Sequence, residues 1–148
     1  HQQYIAGLAD VADLALLPIP EAAPGISEAM ESGDPLKIYW ALIVCSCFGE
    51  QAGSFAAAAK DFCSHEDLLV RTRAAEFLAL SGRGDPVPVI RQALEESRDP
   101  AEALLIMNSL VMLQDGPEAY DFRIDELALA DEVANHPEVG RRLEYLSR

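Results

Sequence analysis

Three groupings of side chains in this sequence have the types and spacing to do chemistry. His65-Glu66, with Cys63 two residues upstream, offers a base beside a thiol. A Cys–His or Ser–His–acid device needs an exposed nucleophile beside the base and a third group orienting that base. His65 and His136 are the available bases; both stand at expected helix starts, and no Gly-x-Ser-x-Gly turn adjoins either. A di-iron centre would need several His-Glu pairs, and His136-Pro137-Glu138 is not a second one. Cys45, Cys47 and Cys63 are odd in number and lack partners at zinc spacing, so they read as small buried hydrophobes. The acids Glu95/Glu96, Asp121/Asp125 and Asp131/Glu132 follow no calcium-loop order around a glycine and read as solvated faces. The expectation is a chain with no catalytic residue, no metal and no cofactor.

The elements that would position such groups follow from composition and punctuation. Half of the 148 residues are apolar and 7% aromatic, and no stretch alternates as a half-buried strand does. This predicts an all-α domain packed through Ala and Leu. A net charge of −14 argues against nucleic-acid binding and against adsorption to an anionic bilayer. Arg71/Arg73 and Arg141/Arg142 are the tightest basic groups. No transmembrane run or signal peptide is expected, and the start at His1 rather than Met reads as excision from something longer.

Asp34-Pro35, Asp85-Pro86 and Asp99-Pro100 each mark a helix start, with Asp as the cap and Pro in the first turn. Ser64-His65-Glu66-Asp67 makes a similar start, while Gly49 and Gly82 end helices. The marks predict helices over 3–16, 24–32, 36–48, 51–63, 67–81, 86–97, 100–113, 125–134 and 137–147. Asp34 to Asp67 is 33 residues, as is Gly49 to Gly82, and Asp67 to Asp99 is 32. A period in the thirties built of helix pairs predicts an α-solenoid, here one domain over 1–148 with pairs at 3–32, 34–63, 67–97 and a degenerate 99–148. Helices 36–48 and 100–113 are apolar nearly all round and are expected between neighbours, with Tyr39 and Trp40 in the core. Helix 86–97 opposes Val87, Val89, Ile90 and Leu94 to Arg91, Gln92, Glu95 and Glu96, which predicts a wet face. Asn108 is expected to satisfy a backbone carbonyl or loop group in the next repeat.

The stretch Asp67-Leu-Leu-Val70-Arg71-Thr-Arg-Ala74-Ala75-Glu-Phe-Leu78-Ala-Leu-Ser-Gly82 resembles a HEAT repeat. In that pattern Arg71 can return to the loop carboxylate, and Ala74 and Ala75 allow close helix approach. The flanking units depart from it, with Lys37-Ile38 at the Val-Arg positions and no Ala pair in the third unit. A longer succession is similar to the C-terminal HEAT-like extension of certain bacterial sulfatases: Tyr39-Trp40-Ala41, Val70 to Glu76, Ala101 to Leu104 with Asn108, Tyr120-Asp121-Phe122, and Arg141 to Ser147. This resemblance implies an exported parent chain, periplasmic or extracellular, whose N-terminal domain hydrolyses sulfate esters. The nucleophile motif of that domain, Cys/Ser-x-Pro-x-Arg, is absent, and Cys45-Ser46-Cys47-Phe48-Gly49 does not supply it.

The combined expectation is a non-catalytic accessory domain whose partner is the catalytic domain of the same parent chain or another protein. The alternative is a free-standing HEAT scaffold for protein interaction. The expected interaction face lies on the second helices of the pairs, at Gln51, Ser54, Lys60, Arg91, Gln92 and Glu95.

Overall fold

The computed structural model describes all 148 residues, wound into helices with no strand. The order is α1 (Gln2–Asp13), α2 (Ile19–Glu31), α3 (Pro35–Phe48), α4 (Ala56–Phe62) and α5 (Leu68–Leu80). Then follow α6 (Val87–Glu96), α7 (Pro100–Asp115), the single turn α8 (Asp131–Ala134) and α9 (Pro137–Leu146). Short 3-10 turns occupy Leu14–Leu16, Gly49–Phe55 and Ile124–Glu126.

The caps at the three Asp-Pro marks form, and the start at 64–67 is capped by Asp67 rather than by Ser64. Asp34 Oδ1 accepts from the Leu36 N–H at 3.0 Å, Asp85 Oδ1 from Val87 at 3.0 Å, and Asp99 Oδ1 from Ala101 at 3.0 Å. Asp67 Oδ1 takes both the Leu69 and Val70 N–H groups, at 2.9 and 3.1 Å. His136 Nδ1 does the same work for Glu138 at 3.2 Å. Each cap satisfies donors the helix cannot, a contribution of about 1 kcal/mol apiece. Pro35, Pro100 and Pro137 occupy first positions, where a missing N–H costs nothing.

Three elements differ from expectation, each for a physical reason. Helix α2 begins at Ile19, not 24, because Pro20 fits its first turn, and it carries Pro24 within its span. The expected helix 51–63 starts as a 3-10 turn, with Ala52 at φ −91 and ψ 17, and becomes α-helical only from Ala56. Of the expected helix 125–134 only the last turn forms, as α8. Arg91 of α6 binds the carbonyl oxygens of Phe122, Arg123 and Glu126, and Glu95 accepts the Ala128 N–H at 2.7 Å. The Glu126 carbonyl and the Ala128 N–H, which a helix would pair internally, are drawn out to α6 instead.

The odd-numbered helices pack in succession, α1 on α3, α3 on α5, α5 on α7 and α7 on α9. Helix α2 lies against α3, α4 against α5, and α6 against both α5 and α7. Cross-links show the odd helices to be parallel. Tyr4 near the start of α1 donates to Asp34 at the start of α3, and Arg73 of α5 reaches Tyr39 of α3. The interior divides in two. One core holds Ile26, Ile38, Leu42, Val44, Val70 and Phe77; the other holds Ile90, Leu94, Ile106, Met107, Leu110 and Phe122. Helix α5 serves both, giving Val70, Ala74, Phe77 and Leu78 to the first and Ala75 and Ala79 to the second.

By length and composition alone, Pro35–Phe62 is apolar enough to cross a membrane, contrary to the expectation of no transmembrane run. Here it turns at Gly49, whose φ of 60 suits a residue without Cβ. Ile38, Ala41, Leu42, Val44 and Cys45 within it are buried in a helix that packs on α1, α2 and α5.

Candidate interaction face

Positions two, six, nine and thirteen residues after a cap lie on one side of a helix, because steps of four, three and four keep to one face. Counted from Asp34 they are Leu36, Trp40, Ile43 and Cys47; from Asp67, Leu69, Arg73, Glu76 and Leu80. From Asp99 they are Ala101, Leu105, Asn108 and Met112, and from His136, Glu138, Arg142 and Tyr145. Large apolar side chains along these stripes stay uncovered, while Glu76 is buried beside its partner Arg73. Leu36, Leu80, Leu105, Met112 and Tyr145 are each between 41% and 46% exposed, a high value for large apolar side chains on packed helices. Helices that read as apolar all round therefore have a free side, contrary to the expectation that neighbours enclose them. Tyr39 and Trp40 are correspondingly half-buried rather than core, edge to face with centroids 5.9 Å apart.

Polar side chains stitch this face across its helices. Arg73 holds Glu76 at 2.9 and 3.2 Å, donates to the Tyr39 hydroxyl at 3.1 Å, and sits 5.2 Å from the Tyr39 ring centre. Burial works against the Arg73 charge, but the Glu76 carboxylate outweighs it, with help from Tyr39, so the guanidinium pKa is raised. Arg142 of α9 donates to Asn108 Oδ1 of α7 at 2.6 Å, so Asn108 meets a side chain of the following helix rather than a backbone carbonyl or loop group. The Tyr145 hydroxyl donates to Asp115 at 2.6 Å, and this hydrogen bond raises its pKa.

Two depressions flank α7. One, about 390 Å³, lies against α9 and is lined by Asn108, Val111, Glu138, Arg141, Arg142 and Tyr145. The other, about 310 Å³, lies where α5 and α7 end, between Ala79, Leu80, Gly82, Met112, Leu113 and the loop at 116–120, with Glu50 on its edge.

The residues expected to form an interaction face lie on the second elements of the pairs, as expected, and not on these stripes. Gln51, Ser54, Lys60 and Gln92 are exposed, but on the 3-10 turn, α4 and α6, away from the apolar stripes. Arg91 and Glu95 are taken up by the chain's own 122–128 segment. Arg71 does not return to Asp67, whose carboxylate is occupied by capping. It donates instead to the His65 carbonyl and to Glu96 of α6 at 2.5 Å.

Residues with chemical potential are committed locally. His65 Nδ1 accepts the Asp67 N–H at 2.9 Å, and His136 Nδ1 caps α9. No three His, Cys, Asp or Glu side chains gather as a metal site would need. This surface sets exposed apolar side chains among charges fixed by hydrogen bonds. Comparison with known families, curated proteins and solved structures finds no match to this chain.

Proposed function

We propose that this chain is a non-catalytic helical-repeat domain of the HEAT kind, acting as the C-terminal accessory portion of a sulfatase. The observation that carries the binding role is the alignment of equivalent positions on successive helices. Counted from caps 32, 33 and 37 residues apart (Asp67 to Asp99, Asp34 to Asp67, Asp99 to His136), the same positions bear Leu36, Leu80, Leu105, Met112 and Tyr145 on one uncovered side. A row of parallel helices backed by others is the arrangement through which α-solenoids offer extended binding surfaces. The sequence resemblance supports the sulfatase catalytic domain as the partner. The domain's contribution would then be geometric: to seat the catalytic domain and shape the approach of its substrate.

The test has two parts. The native gene upstream of His1 is read for an in-frame Cys/Ser-x-Pro-x-Arg motif, and the domain it encodes is titrated with this chain in a calorimeter. Leu36→Ser with Leu105→Ser should weaken association at least tenfold, about 1.4 kcal/mol. Absence of the motif rejects the sulfatase reading and leaves a free-standing scaffold. Association indifferent to Leu36 and Leu105 rejects this face.

A further inference from the structure

We propose that the cleft where α5 and α7 end docks a basic apolar segment of the partner, one in which an aliphatic side chain adjoins a lysine or arginine. The proposal rests on the reading of the odd-helix face as a binding surface and names the chemistry of its occupant.

The cleft wall is apolar and open, with Leu80 and Met112 both exposed and Leu113 beneath them. An aliphatic side chain seated there covers surface that the chain itself leaves wet. The rim carries the opposite signal. Glu50 and Glu118 are exposed, and neither belongs to any of the chain's ion pairs. Asp85 adds to this field. After burial itself, Glu118 and Asp85 are what push the Tyr120 hydroxyl pKa upward, so both charges are felt at the cleft wall.

The end of α7 contributes acceptors. The Gly116 N–H makes no bond back into the helix. Pro117 has no N–H to offer the Leu113 carbonyl, so the last carbonyls of a 16-residue helix stay open at its negative end. Ala119 stands at φ 47, a conformation that disfavours a residue with Cβ, in the loop that carries Glu118 and Tyr120 to the rim. Arg83, the residue after Gly82 of the cleft wall, lies against Gly53 and makes no ion pair. Free carboxylates, open carbonyls and an apolar wall together suit an aliphatic side chain beside a cation. A chain of net charge −14 favours a basic partner over an acidic one for the same reason.

The three methionines allow a direct test. Met30 and Met107 are buried and Met112 is 43% exposed, so ε-¹³C-methyl labelling gives one reporter in the cleft and two internal controls. The full chain is titrated with a short Gly/Ser peptide bearing a central arginine–leucine–leucine–arginine run, and with its counterpart in which glutamates replace the arginines. The expected result is a saturable shift of Met112 alone, with the arginine peptide only. Glu50→Gln with Glu118→Gln, both at exposed positions, should weaken it at least fivefold. A silent Met112, an equal response to the glutamate peptide, or unchanged affinity in the double variant overturns the proposal. If Met112 is silent while partner association still depends on Leu36 and Leu105, the occupant is wrong and the face stands. If that association ignores Leu36 and Leu105, the underlying reading falls with it.

Discussion

Arg91 of α6 donates to the carbonyl oxygen of Arg123 at 2.8 Å, and the same guanidinium also holds the carbonyls of Phe122 and Glu126. One side chain thereby fixes a segment with little secondary structure of its own and keeps Phe122 fully buried. Arg91→Ala should cost about 1–3 kcal/mol, since it leaves carbonyls without their donor. Gln92→Ala, at an exposed neighbour, should stay within about 0.5 kcal/mol. Urea unfolding of the two variants measures the difference. Equal stabilities would show that the 122–126 segment is held by Phe122 alone.

The Arg73–Glu76 pair gives a second prediction. Glu76 is 2% exposed, so a variant that keeps it charged without Arg73 strands a buried carboxylate. Arg73→Ala should destabilise by about 3–5 kcal/mol, and Arg73→Ala with Glu76→Leu should recover a substantial part of the loss. A double-mutant cycle with no coupling would sink this account.

The three thiols should separate by reactivity. Cys47 is exposed, Cys63 is half-buried with its pKa raised by burial, and burial pushes Cys45 up to about 12. A disulfide reagent near neutral pH should modify Cys47 first, Cys63 more slowly, and Cys45 only on unfolding. The linkage sign follows from the raised value. Folded Cys45 keeps its proton above the pH of about 8.5 at which an unfolded thiol loses it. Its contribution is therefore complete below that pH and is lost as pH climbs towards 12. Unfolding midpoints compared with those of Cys45→Ala over this range measure the slope, which should be shallower in the variant.

Ala119 at φ 47 carries a Cβ where glycine would be easier. Ala119→Gly should relieve about 1 kcal/mol of strain, set against the greater freedom glycine brings to the unfolded chain. The expected outcome is a small net gain in melting temperature. A clear loss would mean that the methyl group is packed rather than strained.

Trp40 tests the boundary between core and face. A fully buried tryptophan replaced by alanine costs about 3–5 kcal/mol, and a half-buried one on an open stripe should cost about 1–3 kcal/mol. Chemical denaturation decides, and a loss at the upper extreme would return Trp40 to the core.

Much of the helical framework was legible because its signals are local. Asp34, Asp67 and Asp99 lie next to the amides they cap, so a cap can be read from a few residues. The wet side of α6 was legible from its spacing, with Ile90, Ala93 and Leu94 buried and Gln92 and Glu96 exposed. The fate of 125–134 was hidden, because it depends on Arg91 and Glu95 some thirty residues upstream. The same long reach ties these two residues of the expected interaction face to the chain's own 122–128 segment. The open side of α3 and α7 was concealed by composition: a helix apolar on every face does not announce which side its neighbours leave bare. Counting from the caps would have found it, since Leu36, Leu69 and Ala101 each stand two residues after theirs.

Helix α5 belongs to both cores: adjacent residues Ala74 and Ala75 pack into different ones, and Cys63 touches each. Neither half of the molecule can release its interior without exposing part of the other. The two ends are thereby made to melt together, as one cooperative unit rather than as two independent ones. In amide exchange, Val70 to Ala79 should be the slowest-exchanging stretch, opening only with the whole chain.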